Sequence, residues 1–155
     1  MAAMVAFLKV LSHRQPDTPH AWTLTQIVKK KGSIILAAEC REGIPENGEF
    51  DRLLKMAASP RELLQRINQG GSQVMDQWSA QVQALAQPKA DIYLKSTYLN
   101  EEQIRSALLE PCQSIEGTVE RLLNQYGRKA RIAVLPEGPQ TIPYVYDSRH
   151  SPSSN

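Results

Sequence analysis

The chain has 155 residues, a formal net charge of +2 at pH 7, and 41% hydrophobic and 22% charged residues. This length corresponds to one ordinary domain with its own core, and the composition is typical of a soluble globular protein. The small net charge gives no support for a nucleic-acid-binding surface, and no apolar run reaches the roughly 20 residues of a membrane span. We therefore expect no nucleic-acid or membrane partner.

The cysteines and histidines show no metal-binding spacing. Cys40 and Cys112 lie far apart and match neither a disulfide framework nor a zinc motif, so we expect reduced thiols and a cytoplasmic location. The histidines, His13, His20 and His150, are scattered, and none lies at metal-ligand spacing from a Cys, Asp or Glu. We expect this chain alone to hold no metal ion.

The N-terminal residues 1–11 (MAAMVAFLKVL) form a short apolar run. The run has no basic start and no convincing small-residue cleavage site, so it does not resemble a signal peptide. We interpret residues 1–25 as a divergent segment. A helix that packs on the domain is one interpretation of it, and a hidden fourth strand is another.

Three short runs rich in β-branched or aromatic residues predict strands at residues 33–38, 91–96 and 130–135. Helical patterns separate these strands, which implies crossover connections between parallel neighbours. The predicted fold class is therefore α/β: a small three-layer domain whose largely parallel sheet carries helices on both faces.

The helical patterns have recognisable ends. Ser59, Pro60 and Glu62 combine a cap, a first-turn proline and a capping-box glutamate, and two glycines end that helix at residues 70–71. A second pattern covers residues 73–87, and further helices are predicted to begin at the caps Asn100 and Ser114.

Ligands of open parallel sheets gather outside the carboxyl ends of the strands. The loops at these positions, residues 39–48, 97–100 and 136–141, are rich in polar or turn-forming residues. We therefore expect a site there, and the candidate residues in these loops are Glu39, Cys40, Arg41, Glu42, Gly43, Thr97 and Gly138.

Several interpretations of the first loop stay open. Cys40 beside Arg41 can be a nucleophile, or simply a small buried hydrophobic residue. Glu39 and Glu42 can form an acid–base pair, or they can be salt-bridge partners of Arg41. Arg41 can bind a carboxylate or a phosphate through its planar guanidinium group. Gly43 belongs to neither a P-loop nor a dinucleotide-binding motif.

The helical pattern of residues 73–87 contains Trp78. Its spacing with Val74, Met75 and Val82 favours packing in the core. The alternative is that Trp78 and its neighbour Gln77 line the rim of a cleft.

Taken in order, these segments resemble a known family. Residues 28–43 (VKKKGSIILAAECREG) are similar to the pattern VKxGGxIIxxAECxEG of the nickel-dependent lactate racemase family, where it opens the sheet of the C-terminal domain. Similar residues follow at 49–50, 59–62, Trp78, 92–96 and 134–143, so the resemblance covers about residues 26–143. Residues 144–155 are polar and rich in serine, and we expect a flexible tail there.

The resemblance implies a two-domain enzyme with its active site between the domains. The larger N-terminal domain of such an enzyme holds a nickel pincer nucleotide through histidines and a lysine. Members interconvert the stereoisomers of 2-hydroxy acids by moving a hydride to the cofactor and back. The C-terminal domain completes the pocket and contributes a tryptophan, for which Trp78 is the matching candidate.

Two departures from the family pattern limit the expected activity. The histidine-bearing domain is not among these 155 residues, and residues 1–25 lack the Tyr-Gln-x-x-Lys motif that precedes the matching segment in the family. We therefore expect the C-terminal domain of a racemase-like enzyme that is inactive without a separate N-terminal domain. The alternatives are a stand-alone small-anion-binding module that uses Arg41, and a non-catalytic remnant that self-associates through an apolar patch.

Overall fold

The computed structural model describes the backbone of residues 4–10 and, with their side chains, residues 24–44, 48–69, 77–127 and 129–135. No helix among these residues is long and apolar enough to cross a membrane. The strands and helices, in chain order, are β1 (Met4–Val10), β2 (Gly32–Ala38), α1 (Glu49–Lys55), α2 (Pro60–Gln69), α3 (Gln77–Ala86), β3 (Ala90–Lys95), α4 (Glu101–Ser106), β4 (Glu110–Pro111), α5 (Ile115–Tyr126) and β5 (Arg131–Leu135).

The described strands form one parallel sheet in the order β4-β3-β2-β1-β5. The predicted α/β fold is confirmed, as are the three predicted strands, which correspond to β2, β3 and β5. The sequence patterns missed the seven-residue helix α1 and the two-residue strand β4.

The expectation of a helix in the N-terminal segment is wrong for residues 4–10. These residues form β1, which pairs in parallel with β2 on one side and with β5 on the other. A strand inside a parallel sheet is covered on both faces, so its sequence is apolar nearly throughout, as MVAFLKV is. The hidden fourth strand is therefore the correct interpretation of this run.

Helices cover both faces of the sheet, and the order of the strands determines which helices lie on which face. Strands β1 to β4 step across the sheet in one direction, and the return to β5 lies on the other side of β1. Right-handed crossovers then place the helices before β4 on one face and α5 on the opposite face. The core agrees with this: Ile34 and Leu94 pack with α1 to α4, whereas Ile35 and Tyr93 pack with Leu122 of α5.

The predicted helix caps are present. The Ser59 hydroxyl accepts a hydrogen bond from the Glu62 N–H at 3.2 Å. Asn100 and Gln103 form a reciprocal capping box at the start of α4, and Ser114 caps α5 by accepting from the Gly117 N–H. Because a cap satisfies N–H groups within its own helix, these boundaries depend on local sequence.

Helix α3 buries a different face from the predicted one. Ala80, Gln83 and Ala84 are fully buried, whereas Trp78 is 59% exposed and Leu85 is 40% exposed. The prediction that Trp78 packs in the core is therefore wrong. The small alanine side chains allow α3 to lie close to its neighbours, and the bulky apolar residues point the other way.

Gln83 of α3 and Gln87, the residue directly after α3, both form hydrogen bonds to the turn that follows α4. The side-chain amide of Gln83 donates to the carbonyl of Ala107, and that of Gln87 donates to the carbonyl of Leu108. Leu108 has a positive φ of 59° in this turn, a backbone conformation that leucine rarely adopts. The glutamines thus link α3 to the segment that leads into β4.

Replacing Gln83 by alanine should destabilise the chain by about 3 kcal/mol, because the variant leaves a cavity and removes a buried hydrogen bond. The matched control, Gln65→Ala on the exposed side of α2, should change the free energy of unfolding by less than about 0.5 kcal/mol. Urea denaturation measures both variants. Equal unfolding midpoints for the two variants would show that Gln83 does not link these elements.

Candidate functional site

The carboxyl ends of β2 and β3 lie side by side. In the parallel register Ala37 is opposite Lys95, so the loops that follow the two strands emerge at the same end of the sheet. We call the surface formed by residues 39–44, residues 96–100 and the start of α3 the carboxyl edge. Ligands of parallel sheets bind at this kind of edge.

One carbonyl joins the two loops. The Glu39 carbonyl accepts a hydrogen bond from the Ser96 hydroxyl at 2.8 Å and another from the Tyr98 N–H at 3.3 Å. The Ser96 hydroxyl also accepts from the N–H groups of Tyr98 and Leu99, each at 3.3 Å. The two loops therefore share one hydrogen-bond network, in which Ser96 is the central side chain.

Cys40 lies at a tight turn directly after β2. Its side chain is fully buried, and its φ of 53° lies in the left-handed region. Gly43, which also has a positive φ of 67°, donates its N–H to the Cys40 carbonyl at 2.9 Å and closes the turn. Burial of the thiol supports the packing interpretation of Cys40 over the nucleophilic one.

Arg41 and Glu39 form an ion pair on the exposed side of this turn. The Arg41 Nε donates to the Glu39 carboxylate at 2.8 Å, and the guanidinium carbon lies 5.8 Å from the centre of the Tyr98 ring. The structure thus shows the salt-bridge interpretation for Glu39, while Glu42 is exposed. The Arg41 side chain is 56% exposed, so an anion from solvent can reach it.

Trp78 lies in the first turn of α3. The helix leads through a short turn into the start of β3, so it runs back along the sheet from the carboxyl edge. Its ten residues rise about 15 Å, so the first turn lies well away from the end that leads into β3. This places Trp78 and the half-buried Gln77 towards the carboxyl edge.

The structure brings most of the predicted candidates together. Glu39 to Gly43 form one loop, and the exposed Thr97 lies in the adjacent loop. Gly138 lies outside the described residues. Sequence reasoning did not single out Ser96 and Tyr98, although a hydroxyl residue directly after a strand, beside a candidate loop, is a usable signal.

The part of the chain that the structure describes brings no three His, Cys, Asp or Glu side chains together in a group that could hold a metal ion. The described residues contain no histidine, whose imidazole suits nickel, and their two cysteines are buried in separate core clusters. The described residues therefore do not fit a nickel centre of their own.

Replacing Ser96 by alanine should lower the free energy of unfolding by about 1 kcal/mol, because the variant removes the hydroxyl that connects the two loops. Amide hydrogen exchange of Tyr98 and Leu99 should become faster, whereas the Ser96→Thr variant, which keeps the hydroxyl, should change it far less. Unchanged exchange in Ser96→Ala would mean that the loops hold their positions without this side chain.

Comparisons with known proteins agree with the predicted resemblance. A search of curated proteins found no match. Among solved structures, the chain is similar to the lactate racemase apoprotein from Thermoanaerobacterium thermosaccharolyticum, with 21% sequence identity and a TM-score of 0.74. The match covers 94% of this chain and 36% of that one, so the chain spans little more than a third of that protein and shares its fold. A family model described as the lactate racemase C-terminal domain matches residues 22–142, and the chain therefore belongs to that family.

Proposed function

We propose that this chain forms the C-terminal wall of the active-site cleft in a lactate-racemase-like enzyme. The complete enzyme would interconvert the stereoisomers of a 2-hydroxy acid. A separate N-terminal domain would supply the metal-binding residues and the nickel pincer nucleotide that accepts and returns the hydride. The chain alone would be inactive.

The observation that carries this proposal is the exposure of Trp78. A tryptophan that is 59% exposed leaves a large apolar surface in water, which favours a partner or a ligand that covers it. Tyr98, 52% exposed, belongs to the same carboxyl edge. Two exposed aromatic residues at the ligand-binding end of a parallel sheet are well suited to line a cleft.

Arg41 would bind the substrate carboxylate. A guanidinium group can form two parallel hydrogen bonds to a carboxylate and so fix its orientation. The ion pair with Glu39 and the contact with the Tyr98 ring already restrict the Arg41 side chain, so binding would order it at a smaller entropic cost.

Trp78 and Tyr98 would exclude water from the reacting carbon. Closing a cleft around a substrate strengthens the electrostatic interactions inside it and prevents side reactions with solvent. In this proposal the chain binds and orients the substrate and shields it, while the groups that accept the hydride belong to the other domain.

The alternatives use other features of the same chain. A stand-alone anion-binding module would use Arg41 without any second domain. A self-associating remnant would use the exposed Ile132 and Val134 of β5. Neither alternative predicts turnover in a mixture with a catalytic domain.

Mixing the chain with a lactate racemase N-terminal domain that carries the matured cofactor should restore conversion of L-lactate to D-lactate. The Trp78→Ala variant should lower kcat/KM by about 30-fold, equivalent to about 2 kcal/mol of lost transition-state stabilisation, and Trp78→Phe should retain most of the activity. The matched control is Leu85→Ala, an exposed apolar residue nearer the other end of α3. Conversion should be followed by chiral chromatography.

Mixtures that show no turnover above that of the N-terminal domain alone would contradict the proposal. A Trp78→Ala variant as active as Leu85→Ala would show that Trp78 does not line the cleft. Anion binding by the chain without turnover in any mixture would favour the binding-module alternative.

A further inference from the structure

A cavity of about 370 Å³ lies outside the carboxyl ends of β3 and β4, where α4 forms its third side. Its volume falls within the range of about 300–1,000 Å³ that is typical of small-molecule sites. The cavity adjoins the carboxyl edge, because Ser96 and Leu99 line it while Ser96 also contacts the Glu39 carbonyl.

The inner lining of the cavity is largely apolar. Leu99, Ile104 and Cys112 are almost fully buried at its base, and Pro111 forms part of one side. The Cys112 thiol is directed to Thr118 and to the Ser114 carbonyl, at 3.3 and 3.4 Å. This thiol is thus already partnered, and it presents a small, weakly polar surface to the cavity.

The polar groups at the rim are satisfied by one another. The Lys95 ammonium group donates to the Gln113 carbonyl at 2.7 Å, and the Gln113 side-chain amide donates to the Glu101 carboxylate. Arg105 also contacts Glu101, at 3.4 Å. Asn100 is used as the cap of α4. An entering group therefore finds an apolar interior behind a rim whose polar side chains are largely engaged.

The apolar interior disfavours a second carboxylate on the ligand. The rim carries charges of both signs, because Lys95 and Glu101 both line the cavity and Arg105 contacts the Glu101 carboxylate. A carboxylate that entered the cavity would leave water for the apolar surface of Leu99 and Ile104, and this transfer costs free energy. An apolar group meets no such cost.

The cavity is within reach of a ligand held by Arg41, provided that the ligand is long enough. Neighbouring strands are about 4.8 Å apart, so the ends of β2 and β4, with β3 between them, are separated by roughly 10 Å. The methyl group of lactate is too short to extend from the end of β2 into the cavity. A benzyl side chain extends much further and can cover most of the distance.

We propose that this cavity receives the side chain of the substrate, and that a 2-hydroxy acid with a bulky apolar side chain binds better than lactate. This inference rests on the proposed function, because it places the substrate carboxylate at Arg41. In this proposal Ile104, at the base of the cavity, determines specificity for the side chain of the substrate. Gln113 lies at the mouth of the cavity.

The inference is tested by measuring binding of 3-phenyllactate, lactate and malate to the full chain by NMR titration. 3-Phenyllactate should bind at least about tenfold more tightly than either of the other acids, and shifts should centre on residues lining the cavity. Gln113→Trp, which covers the mouth from an exposed position, and Ile104→Phe, which fills the base, should both remove this preference. Gln125→Trp, an equally exposed glutamine on α5, should leave it unchanged.

Equal affinities for the three acids, no binding of any of them, or a preference that survives Gln113→Trp would overturn the inference. Because Gln113 is exposed, this variant should fold even if Ile104→Phe does not. Binding by the chain alone needs no second domain, so the result is independent of the turnover experiment. Restored lactate turnover without a preference for 3-phenyllactate would contradict the cavity assignment and leave the proposed function intact.

Discussion

The hydrogen bonds to the carbonyl group of Glu39 hold the carboxyl edge together. This carbonyl accepts hydrogen bonds from the Ser96 hydroxyl and the Tyr98 N–H, and so it joins the loop after β2 to the loop after β3. The parallel register of the two strands brings the loops to the same end of the sheet, and this hydrogen-bond network then holds them in contact. Arg41 belongs to the first of these loops and Tyr98 to the second, and Ser96 also lines the neighbouring cavity.

The fold could be predicted where the signals are local. The caps Ser59, Asn100 and Ser114 satisfy N–H groups within their own helices, so their sequence is sufficient evidence. The N-terminal run was ambiguous, because a short apolar segment has no periodicity that separates helix from strand. Its place inside the sheet depends on pairing with β2 and β5, which are distant in sequence. The two residues of β4 are too few to carry a pattern.

The sequence was sufficient to predict which loops form the site. It was not sufficient to predict which side chains in and around these loops contact one another. The rule that ligands gather at strand ends identified residues 39–43 and Thr97, and the structure places these loops together. The periodicity of α3 suggested a buried Trp78, because it could not show that the buried face consists of Ala80, Ala84 and Gln83. Gln83 is buried because the carbonyl of Ala107, 24 residues later in the chain, accepts its hydrogen bond. Long-range contacts of this kind also account for the role of Ser96.

In the proposed enzyme the carboxyl edge faces a separate catalytic domain. Amide hydrogen exchange of the chain, with and without a cofactor-loaded lactate racemase N-terminal domain, tests this arrangement most directly. We expect slower exchange in residues 39–44, the first turn of α3 and residues 96–100, with little change at the opposite end of the sheet around residues 29–31 and Tyr126. Protection confined to that opposite end, or no protection at the carboxyl edge, would show that the catalytic domain does not bind at the carboxyl edge.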